Sequence, residues 1–576
     1  MGDNENRKVY KARQVKNYRE MVEYSCKNYA QNIAYKYKKD YTAKNVEYIE
    51  KTYEQVGKDI KAFGTGLLNL DLMGERIVVV GKNRYEWCIS YLATTCSNMV
   101  IVPIDKALPD IEMQRLIERS EAKAIIFDEK YLETIKKVQE KENSNLKTLI
   151  CMDNIQEKGI KTFNEILEEG RNQIKNGDQK YDNIEIDENK MSIMLFTSGT
   201  TNEPKAVMLS QANICANISN IACWVKLYPT DVLLSFLPIH HTFECTITFL
   251  YGFYSGSQVA FCDGLKHIQQ NLKEYKVSVF VAVPLVLETM YKKIQKAIEE
   301  QGKTGLIKKM TKISNTLLKA KIDIRKIVFK QILDNFGGHL RVVLYGAAPM
   351  NKATIIGYNN LGISLVQGYG LTETSPVVTA ETDKEKRPGS IGLALANLNL
   401  KIANPDNEGV GEITVKGPSV MLGYYKNPEE TKKVLKDGWF STGDYGYKDK
   451  DGFVYITGRK KDIIVLKNGK NVYPQEIEFL INKIPYIAES LVYSRDKDTT
   501  DTMLCAKIVY DKDAIKQMIG EKTEEEYKEI IWQEIKKINQ ELPIFKKIKN
   551  ITITTEPLKK TTTQKVKRYE ELKNLT

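Results

Sequence analysis

Short apolar runs alternate with stretches of helical periodicity through the first three quarters of the chain. Arg76 to Gly81 reads RIVVVG, and helical spacing follows over 83–97. Runs this short and this rich in β-branched residues predict strands, whereas apolar positions three and four apart predict helices. MVIVPID reads as a second buried strand, followed by helix-like PDIEMQRLIERSEA, strand-like KAIIFD and, after a charged helix, LKTLICMD. The alternation resumes with VLLSFLPI, QVAFCD, VSVFVAVP and LRVVLYG. Strands buried on both faces read as continuous apolar runs, so the pattern predicts an α/β fold with a largely parallel sheet covered by helices. Ligands bind such sheets at the loops beyond the carboxyl ends of the strands.

After about Gly392 the texture changes. LNLKIANPDNEGVGEITVKGP and GFVYITG read as short strands divided by turns, a small β-rich unit. A compact α+β segment begins beyond Gly458 and closes with the alternating NITITTEPL and the helical VKRYEELKNL. The charged, turn-like GRKKD (458–462) marks a linker and predicts an N-terminal domain over 1–457 and a C-terminal domain over 458–576. Residues 303–331 are rich in lysine, with Leu306, Ile307, Met310 and Ile313 at helical spacing. That segment reads as a solvated amphipathic helix, with contact to a membrane surface as the alternative.

Composition narrows the class. A chain of 576 residues exceeds what one core serves, so two or more domains are expected. Lys and Arg total 86 against 74 acidic residues, a net charge of +12, read as a modest excess running through the chain. That excess favours anionic ligands or an anionic membrane surface and requires no nucleic acid. Nine cysteines without a CxxC pair, and four histidines without metal-ligand spacing, read as reduced thiols in a cytoplasmic protein. The start MGDNENRKVYKARQ has no apolar segment for a signal peptide, and Asn6 breaks the myristoylation pattern. No apolar run reaches membrane-spanning length.

Chemistry concentrates in LFTSGTTNEPKAVMLS, where a strand-like run enters Thr197, Ser198, Gly199, Thr200 and Thr201, with Lys205 beyond. A glycine among hydroxyl residues suits a loop whose N–H groups grip phosphate oxygens, although GxxxxGK[ST] is absent. By composition alone such a loop is more often a simple turn; Lys205 shifts the balance towards phosphate. QGYGLTETSP (367–376) gathers an aromatic ring, hydroxyls and a carboxylate, and STGDYGYKDKDGFVYITGRKKD sets Asp444 ahead of Arg459.

In this order, the three segments resemble the adenylate-forming superfamily, which includes acyl-CoA synthetases, peptide-synthetase adenylation domains and luciferases. The resemblance covers nearly the whole chain. TSGTTNEPK is similar to the family's phosphate loop, with Asn202 at a usual glycine. By resemblance, Tyr369 stacks on adenine, Thr372 binds the α-phosphate, and Glu373 holds Mg²⁺ with Thr197. YGAAPM looks like the loop lining the adenine site, and the nucleotide is further surrounded by Gly346, Ala347, Gln367, Gly368, Gly370 and Ile456. Asp444 binds the ribose hydroxyls and Arg459 the ribose or phosphates. The implied chemistry is attack of a carboxylate on the α-phosphate of ATP, giving an acyl-adenylate and pyrophosphate. A thiol then takes the acyl group and AMP leaves. Two anions meet in the first step, so a metal ion and positioned cations are needed.

FLPIHHTFECTITFLYGF resembles the acid-site segment, with His241 on the family histidine. Read from the residues alone, that histidine is as well a core or capping group, and the apolar run after it is either an alkyl tunnel or core. VAVPLVLETMYKKI, GSIGLALANLNLKI and GEITVKGPSVMLGYYKNPEET are similar to long-chain fatty acyl-CoA synthetases in particular. The expected substrates are therefore a medium- or long-chain fatty acid, ATP and coenzyme A. An acyl-carrier protein is the alternative acceptor, and a non-catalytic lipid- or nucleotide-binding relative the alternative of another class. LKKTTTQKVKR resembles the family's C-terminal motif, with Gln564 at a usual glycine and Lys565 on the lysine that reaches the α-phosphate and carboxylate. The C-terminal domain is expected to pivot near Lys461, with Lys567 and Arg568 only starting the last helix in water.

Overall fold

Strands form where the apolar runs predict them. The computed structural model describes every residue except 1–3, 44, 198–202, 467–469, 497–501, 561–565, 574 and 576. RIVVVG becomes the strand Arg76–Val80, and Ile77, Val78, Val79 and Val80 are fully buried. Each such side chain contributes about 1.5–3 kcal/mol by leaving water. Four parallel strands, Val100–Pro103, Arg76–Val80, Ala124–Phe127 and Thr148–Cys151, form the middle of an eight-stranded sheet. Met191–Thr197 joins Val100–Pro103 in parallel, and Lys205–Ser210 and Gly423–Tyr424 continue the sheet antiparallel to one edge.

A nine-stranded sheet repeats this logic. Its parallel centre runs Gln258–Phe261, Val232–Ser235, Val279–Ala282, Val342–Tyr345 and Ser364–Gly370. Val377–Ala380 and Leu393–Ala394 continue it antiparallel at one side; at the other Ile33–Lys38 joins Gln258–Phe261 in parallel, and Tyr48–Thr52 closes the edge antiparallel to it. Helices enter on sequence-encoded caps: Thr52 and Ser210 each close a capping box at Tyr53–Leu68 and Gln211–Trp224. Pro284 ends the Val279–Ala282 run by opening the helix Pro284–Glu300, because its ring suits a first helical turn but not a ladder.

By compactness the chain divides into two units. The first takes Met1–Leu400, Val415–Phe440 and Gly452–Val454, including both large sheets; the second takes Lys401–Thr414, Ser441–Asp451 and Tyr455–Thr576. Within the second, Ile487–Asp496 pairs antiparallel with Thr502–Tyr510, which pairs in parallel with Asn550–Thr554. Helices Pro474–Ile481 and Glu524–Glu541 cover this sheet through Ile477, Ile481, Ile531 and Ile535. No helix among the described residues is long and apolar enough to cross a membrane.

The basic tail is not simply wet. Arg568 donates through Nη1 to both carboxylate oxygens of Glu478, at 2.7 and 2.9 Å, and through Nη2 to the Val492 carbonyl at 2.7 Å. Lys560 pairs with Glu489 at 2.7 Å, and the Lys559 N–H donates to buried Glu571 at 2.9 Å. The expectation that Arg568 only starts a solvated helix is therefore corrected: it neutralises a carboxylate that burial holds above its ordinary range.

Candidate active site

The hairpin Met191–Thr197/Lys205–Ser210 sets Thr197 directly across from Lys205. The Thr197 hydroxyl lies 3.4 Å from the Lys205 carbonyl oxygen. Ser198, Gly199, Thr200, Thr201 and Asn202, the centre of the expected phosphate loop, lie outside the described residues. Lys205 is held at its base. Its Nζ lies 2.6 Å from Glu430 and 5.0 Å from the centre of the Tyr424 ring. Glu430 arrives on the helix Pro428–Val434, whose start is encoded by NP: Asn427 accepts from the Glu430 N–H at 3.1 Å and Pro428 opens the first turn. Hydrogen bonds from Lys205 and Lys433 hold the Glu430 carboxyl down at about 2. Around Lys205 lies a pocket of about 200 Å³, bordered also by Arg119, Glu203 and Asn427.

Glu373 joins the same assembly from the other sheet. Its Oε1 accepts a hydrogen bond from the Tyr424 hydroxyl at 3.0 Å, and its carbonyl accepts from the Met421 N–H at 2.9 Å. Tyr424 reaches across because the two-residue strand Gly423–Tyr424 pairs with Val207 and Met208 on the hairpin. Burial, and then the Glu373 charge, push the Tyr424 phenol well above its ordinary value, so it stays a donor. The chain Glu373–Tyr424–Lys205–Glu430 thus ties YGLTE to the Met191–Thr197/Lys205–Ser210 hairpin.

Glycine is demanded where YGLTE turns. A Cβ on Gly370 meets the Pro376 carbonyl oxygen at 1.8 Å, and one on Gly346 meets that of Gly368 at 2.7 Å. Gln367 is buried, paired with Tyr345 across parallel strands, and accepts from the Tyr345 hydroxyl at 2.9 Å. Tyr369 and Thr372 are half-buried at the crest of the strand, and Ala347 is exposed with φ +69°. Gly346, Ala347, Gln367, Gly368, Tyr369, Gly370, Thr372 and Glu373 therefore lie along the carboxyl ends of two neighbouring strands.

His241 belongs to a loop that is clamped rather than free. Asn83 donates through Nδ2 to Ser235 Oγ at 2.9 Å and to the Leu237 carbonyl at 2.7 Å, and its Oδ1 accepts from the Ile239 N–H at 3.3 Å. His241 Nδ1 accepts from the Phe243 N–H at 3.2 Å. The following residues form a π-helix, Glu244–Tyr251, all buried. Phe249 packs edge-on against Trp87 and Tyr91, so this face of the run is core. Glu244 is wholly buried; its two oxygens accept from Ser235 at 2.7 Å and Thr248 at 2.9 Å. Burial pushes its carboxyl up to about 8. The segment also approaches the turns after the two neighbouring strands, with Phe243 3.8 Å from the Cβ position of Gly346 and Thr246 3.4 Å from the Ser375 carbonyl.

In the second unit, Asp444 is buried and Arg459 Nε lies 3.2 Å from its Oδ1. Ile456 is 39% exposed on the same strand as Arg459, and Lys461 sits in the 3-10 turn Lys460–Asp462 that follows. Lys565 lies outside the described residues; Lys560 and Val566, which flank it, pair in an isolated antiparallel bridge.

These features define an α/β protein in which Thr197, a clamped Lys205 and the Glu373 turn meet at the ends of strands of two sheets. The chain belongs to the AMP-binding enzyme family: that family's model matches residues 22–425, and the model of the AMP-binding enzyme C-terminal domain matches 461–575. It is 30% identical over 498 residues to long-chain-fatty-acid–CoA ligase 6 of Mus musculus, covering 81% of this chain and 70% of the mouse protein. It is 28% identical over 564 residues to the chloroplastic long-chain-fatty-acid–acyl-carrier-protein ligase AEE15 of Arabidopsis thaliana, covering 85% and 76%. The fold matches ATP-bound MatB from Rhodopseudomonas palustris with a TM-score of 0.75 at 23% identity, over 97% of this chain and 99% of that one.

Four participants were missed in the sequence: Tyr424, Glu430, Asn83 and Glu244. Tyr424 and Glu430 lie within the quoted MLGYYKNPEET, so a signal existed, but nothing in it names Glu373 or Lys205 as partners. Asn83 carries no motif at all.

Proposed function

We propose that this chain is an ATP-dependent ligase that activates a long-chain fatty acid as its acyl-adenylate, releases pyrophosphate, and transfers the acyl group to coenzyme A with release of AMP. The observation that carries the reading is the Glu373–Tyr424–Lys205 link, which sets a carboxylate and a cation at the base of the hydroxyl-rich loop. Lys205 exchanges Glu430 for phosphate oxygens of ATP and offsets charge where two anions meet. The Glu373 carboxylate, with Tyr424 on one oxygen, and the Thr197 hydroxyl are hard oxygen ligands of the kind Mg²⁺ takes alongside substrate phosphates. Such an ion supplies charge neutralisation at the phosphates. His241, on a loop fixed by Asn83, positions the acid. Asp444, oriented by Arg459, takes the ribose hydroxyls, and 458–576, pivoting near Lys461, brings Lys565 to the first half-reaction.

ATP–pyrophosphate exchange with a panel of carboxylic acids tests this. Exchange that rises with chain length supports the reading, and exchange with no acid of any length overturns it. An acyl-carrier protein acceptor, suggested by the Arabidopsis relative, is distinguished by supplying either that protein or coenzyme A to preformed acyl-adenylate.

A further inference from the structure

Cationic residues are spread less evenly than the composition-level reading has it. Residues 303–331 hold nine Lys and Arg against one carboxylate, a net +8 within a chain whose total is +12. The segment folds as the helix Thr304–Lys319, a connection, and the short helices Arg325–Val328 and Lys330–Leu333. Its inner face is well used. Ile307, Met310, Val328 and Ile332 pack against the core beside buried Phe329 and Leu333, and Asn315 donates to Asn360 at 2.9 Å. The segment is therefore fixed in place, and its outer face is presented rather than unfolded.

That outer face mixes two kinds of side chain. Leu306 is 55% exposed and Ile313 48%, two turns apart on one stripe, and beyond the helix Ile322 and Ile327 are 53% and 78% exposed. Lys309 and Lys312 flank the stripe, with Lys308, Lys319, Lys321 and Lys326 nearby. Among the described residues no ion pair engages these six lysines, whereas Arg325 and Lys330 are paired with Asp323 and Asp334. Single exposed apolar residues are ordinary; several set among unpaired lysines on one rigid element are not.

We infer that this face docks on an anionic lipid surface, the lysines meeting headgroup phosphates while Leu306, Ile313, Ile322 and Ile327 enter the headgroup–acyl boundary. The chemistry decides between lipid and protein. Protein–protein interface cores exclude lysine, whereas interfacial helices combine lysine with projecting leucine and isoleucine. Leu306 and Ile313 stand two turns apart on Thr304–Lys319, with Lys308, Lys309 and Lys312 between them in sequence. The inference rests on the fatty-acid reading for its purpose, since such an acid partitions into the same surface, but not for its physics.

Vesicle co-sedimentation of the full chain tests it, with phosphatidylcholine alone and phosphatidylcholine mixed with phosphatidylglycerol. Retention only on the mixed vesicles, falling with added salt, is expected. The triple variant Lys308→Glu, Lys309→Glu, Lys312→Glu should weaken that retention by roughly a hundredfold. Leu306→Ser with Ile313→Ser, which leaves the charge intact, should weaken it about tenfold. Both variants should match the parent in ATP–pyrophosphate exchange with a short, monomeric acid, which also shows that they fold. No retention on either vesicle, equal retention of parent and variants, or binding only to an acidic protein such as polyglutamate-tagged carrier overturns the docking surface. In each case exchange by the parent leaves the ligase reading standing, whereas vesicle binding without exchange overturns that reading alone.

Discussion

Glu244→Gln tests the buried carboxyl beneath the histidine loop. Glu244 is wholly buried, accepts from the hydroxyls of Ser235 and Thr248, and is pushed up to about 8 from an ordinary 4.5. The cause is burial, so the folded chain holds the neutral acid while the unfolded chain ionises above about 4.5. Its contribution to stability is therefore complete below the unfolded value and is lost as pH rises through the folded one. Between about pH 5 and about pH 7.5 that loss amounts to about 3 kcal/mol. Glutamine keeps one donor and one acceptor at the site and has no proton to lose. The variant should thus be more stable than the parent by a margin that grows by about 3 kcal/mol across that interval. Urea unfolding followed by tryptophan fluorescence reads it, because buried Trp87 packs against Phe249 of the same π-helix with ring centres 6.2 Å apart. A stability gap that is the same at both pH values sinks the claim that a neutral acid sits there.

Three further outcomes follow from single contacts, and a fourth, at Lys565, from the proposed function. Gly370→Ala places a methyl 1.8 Å from the Pro376 carbonyl oxygen, so it should destabilise the first unit by more than about 3 kcal/mol in urea unfolding and abolish pyrophosphate exchange; near-parental behaviour refutes the close approach. Glu430→Gln removes the carboxylate that holds Lys205 at 2.6 Å, so the KM for ATP should fall roughly fivefold with kcat little changed, a rise in KM counting against the exchange of partners. Arg568→Ala strands the buried Glu478 carboxyl and should cost the second unit about 3–5 kcal/mol, read from its own unfolding transition. Lys565→Ala should abolish adenylate formation yet spare thiolysis of supplied acyl-adenylate; equal loss of both half-reactions in a folded protein refutes that division.

How far the sequence could be read depended on whether a feature is local. RIVVVG, KAIIFD and LRVVLYG became buried parallel strands because a continuous apolar run needs cover on both faces, a requirement each run satisfies by itself. Pro284 and the Thr52 cap set helix starts for equally local reasons. Of the expected site segments, YGLTE was legible as a turn because it carries its own turn chemistry, with Gly370 forced by a carbonyl six residues away. Arg568 was misjudged because its partner, Glu478, lies 90 residues earlier, and no periodicity links the two. Asn83 escaped for the same reason: it clamps 235–239 across more than 150 residues.

Those distant partners change what the site residues mean. A motif presents Lys205 and Glu373 as vacant groups awaiting a nucleotide, but in the folded chain Lys205 is on Glu430 and Glu373 is on Tyr424. If Lys205 takes ATP phosphate as proposed, binding is an exchange, and its free energy is the difference between phosphate and carboxylate as partners for one ammonium group. An ammonium already desolvated and aligned gives up less ordering entropy when phosphate arrives than a free one does. On that reading the internal carboxylate weakens ground-state binding of the nucleotide and leaves the chemical step alone, which is why Glu430→Gln is expected to move KM and spare kcat.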